Sequence, residues 1–234
     1  MTTIEASGKL DNPVWFSLTE VHKTFGIDYK SIKFYHPDYC PFGGFINSVD
    51  RITDAIDNYA GLTDNFFIVG EKPLLSKQLT IAKELVCLQM VIDHEIVSPG
   101  PDEIRKLTTT DAGALFGLVN LVQPGYFRPG TMVLGHYYGI FKKDGLVAVT
   151  GERMKMSGYT EVSAVVTHPA HTGRGFAMQL VAHAVTEMLT QNEMPFLQVA
   201  ENNARAINLY HRAGFRVRRK ISFWNITKVA GVVL

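Results

Sequence analysis

Cysteine, net charge and long apolar runs are all scarce in this chain of 234 residues. It has two cysteines, Cys40 and Cys87, and it does not open on a charged segment followed by an apolar one, so we expect a reducing, cytoplasmic setting. The formal net charge is +1, and Lys and Arg are spread along the chain, which gives no electrostatic reason to expect nucleic-acid binding. No apolar stretch approaches the ~20 residues of a membrane helix. We therefore predict neither a nucleic-acid nor a membrane partner.

Hydrophobic residues are abundant, at 46% of the chain, which is enough for one good core and a second, smaller one. The turn-forming residues 97–101 predict a boundary between an N-terminal α/β domain (1–97) and a second domain (102–234). In the first domain, periodicity predicts helices at 13–25 and 49–60 and strands at 32–35, 65–69 and 84–92. In the second it predicts strands at 104–108, 136–141, 146–150, 162–166, 195–200 and 216–220, helices at 112–122 and after residues 175 and 203, and an edge strand or contact surface at 229–234.

The most specific pattern is a glycine turn between the strand at 162–166 and a helix with apolar residues at three- and four-residue spacing. Such a junction leaves backbone N–H groups unpaired at the positive end of the helix dipole, which favours a phosphate. No Lys-Ser/Thr follows the glycines and no Gly-x-Gly-x-x-Gly is completed, so a mononucleotide or dinucleotide site is disfavoured. The predicted anion-binding residues are Thr172, Gly173, Arg174, Gly175, Phe176 and Ala177.

A second pattern follows the strand at 195–200. Asn202 or Asn203 can cap a short helix, and Gly214 stands where a left-handed C-terminal cap belongs. With the glycine turn, this segment resembles the GNAT superfamily of acetyl-coenzyme A-dependent N-acetyltransferases, in particular its FR47-like bacterial members, over residues 102–228. The coenzyme A loop of that superfamily is Gln/Arg-x-x-Gly-x-Gly/Ala, and its later signature is Asn-x-x-Ala-Ile-x-x-Tyr before Gly-Phe. The matching residues are Gly175, Ala177, Asn203, Ala206, Ile207, Tyr210, Gly214 and Phe215.

The resemblance implies a mixed, mostly antiparallel α/β (α+β) sheet flanked by helices, with acetyl-coenzyme A as co-substrate. No carboxylate or cysteine stands at a supporting spacing to His168, His171 and His183, so we predict no metal site. It further implies that Val165, Val166 and Thr167 run beside the pantetheine arm where the strand splays, that a backbone N–H near Val165 polarises the thioester carbonyl, and that Asn203 binds the same arm. Thr172 departs from the pattern, since the family has Gln or Arg there. His171 and Arg174 flank this position and are candidates to compensate for the missing charge.

Transfer of an acetyl group to an amine needs a base for the amine and an acid for the leaving thiolate. The resemblance implies Glu161, eleven positions before Thr172, as the base and Tyr210 as the acid. Each has a structural alternative: Glu161 as an ordinary strand-end carboxylate, and Tyr210 as a core aromatic. Glu152 is the rival base, and its structural interpretation is an ion pair with Arg153 or a surface charge.

The acceptor and the assembly are the least specific predictions. By resemblance, Tyr126, Phe127 and Arg128 line the acceptor pocket, and one arginine among aromatics suits a small amine that carries a carboxylate, although a peptide amine is also open. The expected reaction is direct transfer in a ternary complex, and a homodimer is compatible with the sequence. The alternative function is a non-catalytic acyl-coenzyme A sensor or interaction module with the same fold. For residues 1–97, a degenerate acetyltransferase half and a substrate-shaping domain both stay open.

Overall fold

Eleven strands and five α-helices form the described part of the chain, which comprises residues 8–46, 52–97 and 100–229 of a computed structural model. The helices are α1 (Pro13–Thr19), α2 (Ile52–Ala60), α3 (Ala112–Val122), α4 (Phe176–Thr190) and α5 (Ala204–Arg212). The strands are β1 (Gly26–Asp28), β2 (Ile32–Tyr35), β3 (Phe42–Phe45), β4 (Asn65–Val69), β5 (Leu79–Val91), β6 (Arg105–Lys106), β7 (Tyr137–Lys142), β8 (Gly145–Met156), β9 (Tyr159–Thr167), β10 (Met194–Ala200) and β11 (Arg216–Lys228).

All eleven strands belong to one sheet, in the order β1-β2-β3-β4-β11-β5-β10-β9-β8-β7-β6. The pairs β3/β4 and β9/β10 are parallel, and the other neighbours are antiparallel. The predicted mixed, mostly antiparallel sheet flanked by helices is therefore confirmed.

Two strands cross between the predicted domains. Strand β5, from the first 97 residues, lies between β10 and β11, and β11, from the end of the chain, lies between β4 and β5. The β5–β11 ladder runs from Val91 opposite Arg216 to Leu79 opposite Lys228. The sheet is thus continuous across the predicted boundary, and the division into residues 1–97 and 102–234 stays a prediction.

Two main cores lie on opposite faces of the sheet. Helices α4 and α5 pack on one face, where Leu180, Val185 and Tyr210 share a cluster with Leu197 and Val199 of β10. Helix α1 packs on the other face, in a cluster that includes Val14, Phe42, Phe196 and Phe223. Since successive side chains of a strand point to opposite faces, the alternation along β10 defines the two sides of the site.

Several predicted bounds differ from the structure. The first helix ends at Thr19, because Glu20 leaves the helical conformation and its carboxylate accepts a hydrogen bond of 2.7 Å from the backbone N–H of Ser157. The strands predicted at 84–92 and 216–220 are longer, since each pairs with the other along its polar stretch as well. Residues 49–51 of the second predicted helix and 230–234 of the tail lie outside the described residues. None of the helices in the described residues is long and apolar enough to cross a membrane.

Candidate active site

Strand β9 contains an irregularity at the position where the site begins. Ala164 has φ +51°, a left-handed backbone at a residue other than glycine, which is uncommon. In the pairing with β8, Val166 lies opposite Val149 and Ser163 opposite Gly151, so Ala164 and Val165 together face one residue, Thr150. This two-against-one arrangement is a β-bulge, which interrupts the hydrogen-bond ladder and releases backbone groups from it.

The neighbouring strand diverges just before the bulge. The parallel pairing of β9 with β10 runs from Tyr159 opposite Met194 to Glu161 opposite Phe196, and beyond that point β10 continues along β5. A cavity of about 590 Å³ opens in the gap. Its volume is within the range of small-molecule sites. Its walls include residues of both predicted domains: Phe42, Leu85, Cys87, Val122, Gln123, Pro124, Tyr126, Arg153, Glu161–Thr167, Thr172, Ala177, Gln198–Ala200, Asn203, Arg205, Ala206, Leu209, Tyr210 and Phe223.

The predicted glycine turn borders this cavity through Thr172 and Ala177. Gly173 and Gly175 both have φ +80°, so each adopts the left-handed conformation that glycine accepts most readily. Gly175 is the N-cap of α4, and among the described residues no side chain caps this helix end. The first N–H groups of α4 therefore remain for an anion, as the sequence pattern predicts.

The cations around Thr172 differ from those expected. His171 is buried with its Nε2 atom 3.5 Å from Oδ2 of Asp144, so its ring is turned toward that carboxylate. Arg174 is exposed, and in the described structure it does not line the cavity. Arg205 of α5 does line it, with Thr172 and Asn203. Sequence reasoning missed Arg205, although it stands two residues after Asn203 within the second motif.

Helix α5 brings two of the predicted residues to the cavity wall. The Oδ1 atom of Asn203 accepts the backbone N–H of Ala206 at 3.1 Å as an N-cap, which leaves the amide nitrogen for another partner. Tyr210 is 8% exposed and its ring lies edge-on to Phe215. Burial raises the pKa of the Tyr210 hydroxyl, and the Glu161 carboxylate raises it further, so the group stays protonated through the physiological range.

Glu161 forms a two-pronged ion pair with Arg153 at the cavity wall. Nε of Arg153 donates to Oε2 at 2.9 Å and Nη2 donates to Oε1 at 2.8 Å, while the backbone N–H of Met154 adds a bond of 3.3 Å. The carboxylate is 1% exposed, and the guanidinium lies 4.6 Å from the ring centre of Phe42. Burial opposes the charge on Arg153, but attraction to Glu161 outweighs it and raises the pKa of the guanidinium.

Glu152 is on the other side of strand β8. Its Oε2 atom accepts the backbone N–H of His136 at 3.1 Å, and Nζ of Lys155 lies 3.9 Å from the same atom. Within the part of the chain that the structure describes, its Oε1 atom has no hydrogen-bond partner, and Glu152 does not line the cavity. The interpretation of Glu152 as the ion partner of Arg153 is wrong, because adjacent strand residues point to opposite faces and Arg153 reaches Glu161.

The predicted acceptor loop contributes one of its three residues. Tyr126 lines the cavity and packs on Phe67 at 5.4 Å between ring centres. Phe127 is buried in a separate core cluster, edge-on to Tyr137, and the Arg128 backbone N–H is bonded to Oγ1 of Thr131 at 2.7 Å. As far as described residues form the cavity, neither Phe127 nor Arg128 lines it. In the described residues there is no group of three His, Cys, Asp or Glu side chains placed to hold a metal ion.

Comparisons with known proteins show which fold the chain shares. Residues 137–224 match the family model described as FR47-like protein. An acetyltransferase of the GNAT family from Novosphingobium aromaticivorans is 28% identical, with a TM-score of 0.83 over 94% of this chain and 99% of that chain. The chain has the GNAT acetyltransferase fold. The resemblance inferred from the two motifs is thereby confirmed, and these relatives support acyltransferase activity. No curated protein matches the sequence.

More distant structures show the same GNAT fold over nearly the whole chain. A GCN5-related N-acetyltransferase from Kribbella flavida is 13% identical, with a TM-score of 0.63 over 93% of this chain and 95% of that chain. A tandem GNAT protein from the clavulanic acid biosynthesis pathway is 13% identical, with a TM-score of 0.56 over 86% of this chain and 79% of that chain. The match that covers 86% of this chain leaves about 33 of its residues outside, so most of residues 1–97 must belong to the shared fold.

Proposed function

We propose that this chain is an acetyl-coenzyme A-dependent N-acetyltransferase that moves the acetyl group to a primary amine by direct transfer in a ternary complex. The observation that carries the proposal is the cavity in the gap between β9 and β10. It is bordered by the uncapped start of α4, by Asn203 and Tyr210 of α5, and by the buried Glu161 carboxylate. One opening thus combines groups suited to the phosphates, the pantetheine arm and the reacting atoms.

The bulge has a role in binding the acyl group. Residues 165–167 line the cavity beyond the last β9–β10 pair, where their backbone groups can accept an extended arm as an added strand. A released N–H near Val165 would donate to the thioester carbonyl and stabilise the oxyanion that forms on it. The phosphates would bind the N–H groups at the start of α4, with Arg205 as the nearby cation in place of the Gln or Arg that Thr172 replaces.

The chemical step needs two proton transfers. The amine nitrogen attacks the thioester carbon, the carbon–sulfur bond breaks, and Tyr210 gives its proton to the departing sulfur. The proton lost from the amine passes to Glu161 through a water molecule. The two hydrogen bonds from Arg153 hold the Glu161 carboxylate in place at the cavity wall.

One observation favours the alternative of a non-catalytic acyl-coenzyme A sensor. Both oxygens of the Glu161 carboxylate already accept hydrogen bonds, Oε1 from Arg153 and Oε2 from Arg153 and the Met154 backbone, so neither is left without a partner for a reacting amine or a water. In the sensor, the ion pair would close the cavity wall, and Tyr210 would pack on the pantetheine arm.

The test is release of coenzyme A from acetyl-coenzyme A with small-molecule and peptide amines. We expect turnover by the wild type and a fall in kcat of about 100-fold in Tyr210→Phe, the size of a typical general-acid contribution, with an unchanged Kd for acetyl-coenzyme A. Tyr29→Phe, which removes a hydroxyl outside the cavity wall, is the matched control. Tight acetyl-coenzyme A binding without turnover on any amine would favour the sensor. A cytoplasmic location and a homodimer stay predictions.

A further inference from the structure

The part of the cavity wall that faces α1 is apolar. Five lining residues, Phe42, Leu85, Cys87, Tyr126 and Phe223, belong to the core cluster on the α1 face or pack against it. They come from β3, β5, the loop after α3, and β11, so the crossing of strands between the two predicted domains assembles this wall. Tyr210 and the rest of α5 lie on the opposite face. We name these five residues the apolar wall.

The charges next to the apolar wall cancel. Arg153 and Glu161 are bonded to each other through two hydrogen bonds, and the side chain of Arg153 is 14% exposed. The expected arginine of the acceptor loop, Arg128, does not line the cavity, and Arg205 stands on α5 at the opposite face. On the α1 face, the cations that line the cavity in the described structure are therefore limited to Arg153, which is already neutralised.

This arrangement works against an acceptor that carries a carboxylate. Such a group would face the Glu161 carboxylate, which is 1% exposed, and would have to compete with it for Arg153. If it succeeded, Glu161 would become a buried charge without its partner, which is strongly unfavourable. An uncharged body instead gains free energy by covering the apolar wall.

Resting on the proposed function, we propose that the acceptor is a primary amine with an apolar, ring-sized body and no carboxylate on the carbon that bears the nitrogen. Leu85 and Tyr126, the half-buried members, offer most of the accessible apolar surface to such a body, since Phe42 and Phe223 are almost fully buried. The body lies on the α1 face, and the nitrogen points through the gap toward the thioester near Tyr210.

Three acceptors with one ring separate charge from size: phenethylamine, L-phenylalaninamide and L-phenylalanine. We expect kcat/KM for coenzyme A release to be at least about 100-fold higher for phenethylamine than for phenylalanine. The amide, which is close in size to the carboxylate but uncharged, is expected to resemble phenethylamine. Phenylalanine equal to or better than its amide would overturn the inference. Turnover on polyamines or peptides with none on phenethylamine would overturn it too.

A variant adds a cation to the wall. Tyr126→Arg changes a half-buried loop residue and is expected to raise the phenylalanine-to-phenethylamine ratio of kcat/KM at least tenfold. Tyr29→Arg places the same charge outside the cavity and is expected to keep the wild-type ratio. An unchanged ratio in Tyr126→Arg, with acetyl-coenzyme A still bound, would contradict the inference. Absence of turnover on every amine would instead contradict the proposed function, so the two failures are distinguishable.

Discussion

Strands β1–β4 at one end of the sheet and β6–β10 at the other follow the same order. Each end has antiparallel strands, then a parallel pair connected through a helix, then an antiparallel strand that comes from the other end of the chain. Helix α2 connects β3 to β4 as α4 connects β9 to β10, and β11 borders β4 as β5 borders β10. This repeated order favours the degenerate acetyltransferase half over the substrate-shaping domain for the N-terminal end.

The two ends differ in what lies beside the parallel pair. Under α2, Phe34 stacks on Tyr59 with ring centres 4.0 Å apart, Phe66 packs edge-on against both, and the Tyr59 hydroxyl donates to the Tyr35 carbonyl at 2.8 Å. At the other end, the bulge at Ala164 and the divergence of β10 open a cavity instead. Strand order alone therefore does not produce the cavity. The site depends on a bulge and an unfilled gap.

The two ends can be separated by cutting the chain between residues 97 and 102. A fragment of residues 102–234 lacks β5, so β10 and β11 would each lose a neighbour and expose an unpaired edge. We expect the fragment to show no cooperative unfolding by circular dichroism and no thermal shift with acetyl-coenzyme A. Co-expression with residues 1–97 is expected to restore both. A fragment that folds and binds acetyl-coenzyme A alone would show that the ends are independent.

Removing one ring from the filled end tests whether that core serves stability rather than chemistry. Phe34→Ala is expected to lower the free energy of unfolding in urea by about 3–5 kcal/mol, because the ring is 0% exposed. Phe116→Ala, on the exposed side of α3 at 39%, should change it by less than about 0.5 kcal/mol. At temperatures where Phe34→Ala stays folded, kcat should be retained. A loss of kcat as large as that of Tyr210→Phe would mean that the filled core shapes the site.

Acid is expected to act through His22, which is hydrogen-bonded to Tyr35 of β2 on the α1 face and whose pKa is lowered to about 4 by burial. In the unfolded chain the His22 ring is protonated below about pH 6.5, whereas in the folded protein it stays neutral until about pH 4. The contribution of neutral His22 to the free energy of unfolding should therefore be fully present at pH 7. It should be lost as the pH drops through this window, by roughly 3 kcal/mol in total at about 1.4 kcal/mol per pH unit.

The measurement is urea unfolding between pH 7 and pH 4.5, compared with His22→Gln, in which this contribution disappears. His36→Gln, at an exposed histidine, is the control and should keep the wild-type slope. An identical slope in His22→Gln would exclude the buried ring as the cause.

Because β5 and β11 join the ends, hydrogen exchange is expected to show both ends losing protection together.

The smallest expected effect concerns the turn that distinguishes the open end. Gly175→Ala places a side chain at φ +80° and should cost about 1 kcal/mol of stability. It should also raise the Kd of acetyl-coenzyme A about tenfold, because the N–H groups at the start of α4 shift. Gly158→Ala, at φ +86° in the turn between β8 and β9, should have the same stability cost and a wild-type Kd. Equal Kd values in the two variants would contradict a cofactor role for the turn.

Local parts of the site were predictable because their signals lie close together in sequence. The turn at Gly173 and Gly175, the N-cap at Asn203 and the cavity position of Tyr210 each depend on a few neighbouring residues. Strand periodicity also indicated most strands, although the ends of β5 and β11 depended on their pairing. Arg128 was misleading, because a loop residue carries no periodicity that indicates which way its side chain points.

Backbone preferences and short-range spacing were enough to predict most helices, the glycine turn, and the positions of Glu161, Asn203 and Tyr210 beside the gap. Three features depend on which strands pair and in what register: the exchange of β5 and β11, the pairing of Arg153 with Glu161, and the contribution of Phe42 and Phe223 to the cavity wall. Phe42 and Phe223 are far apart in the chain and have no local signal that relates them. Sheet register brings them together, because burying apolar surface on both faces selects one set of strand partners.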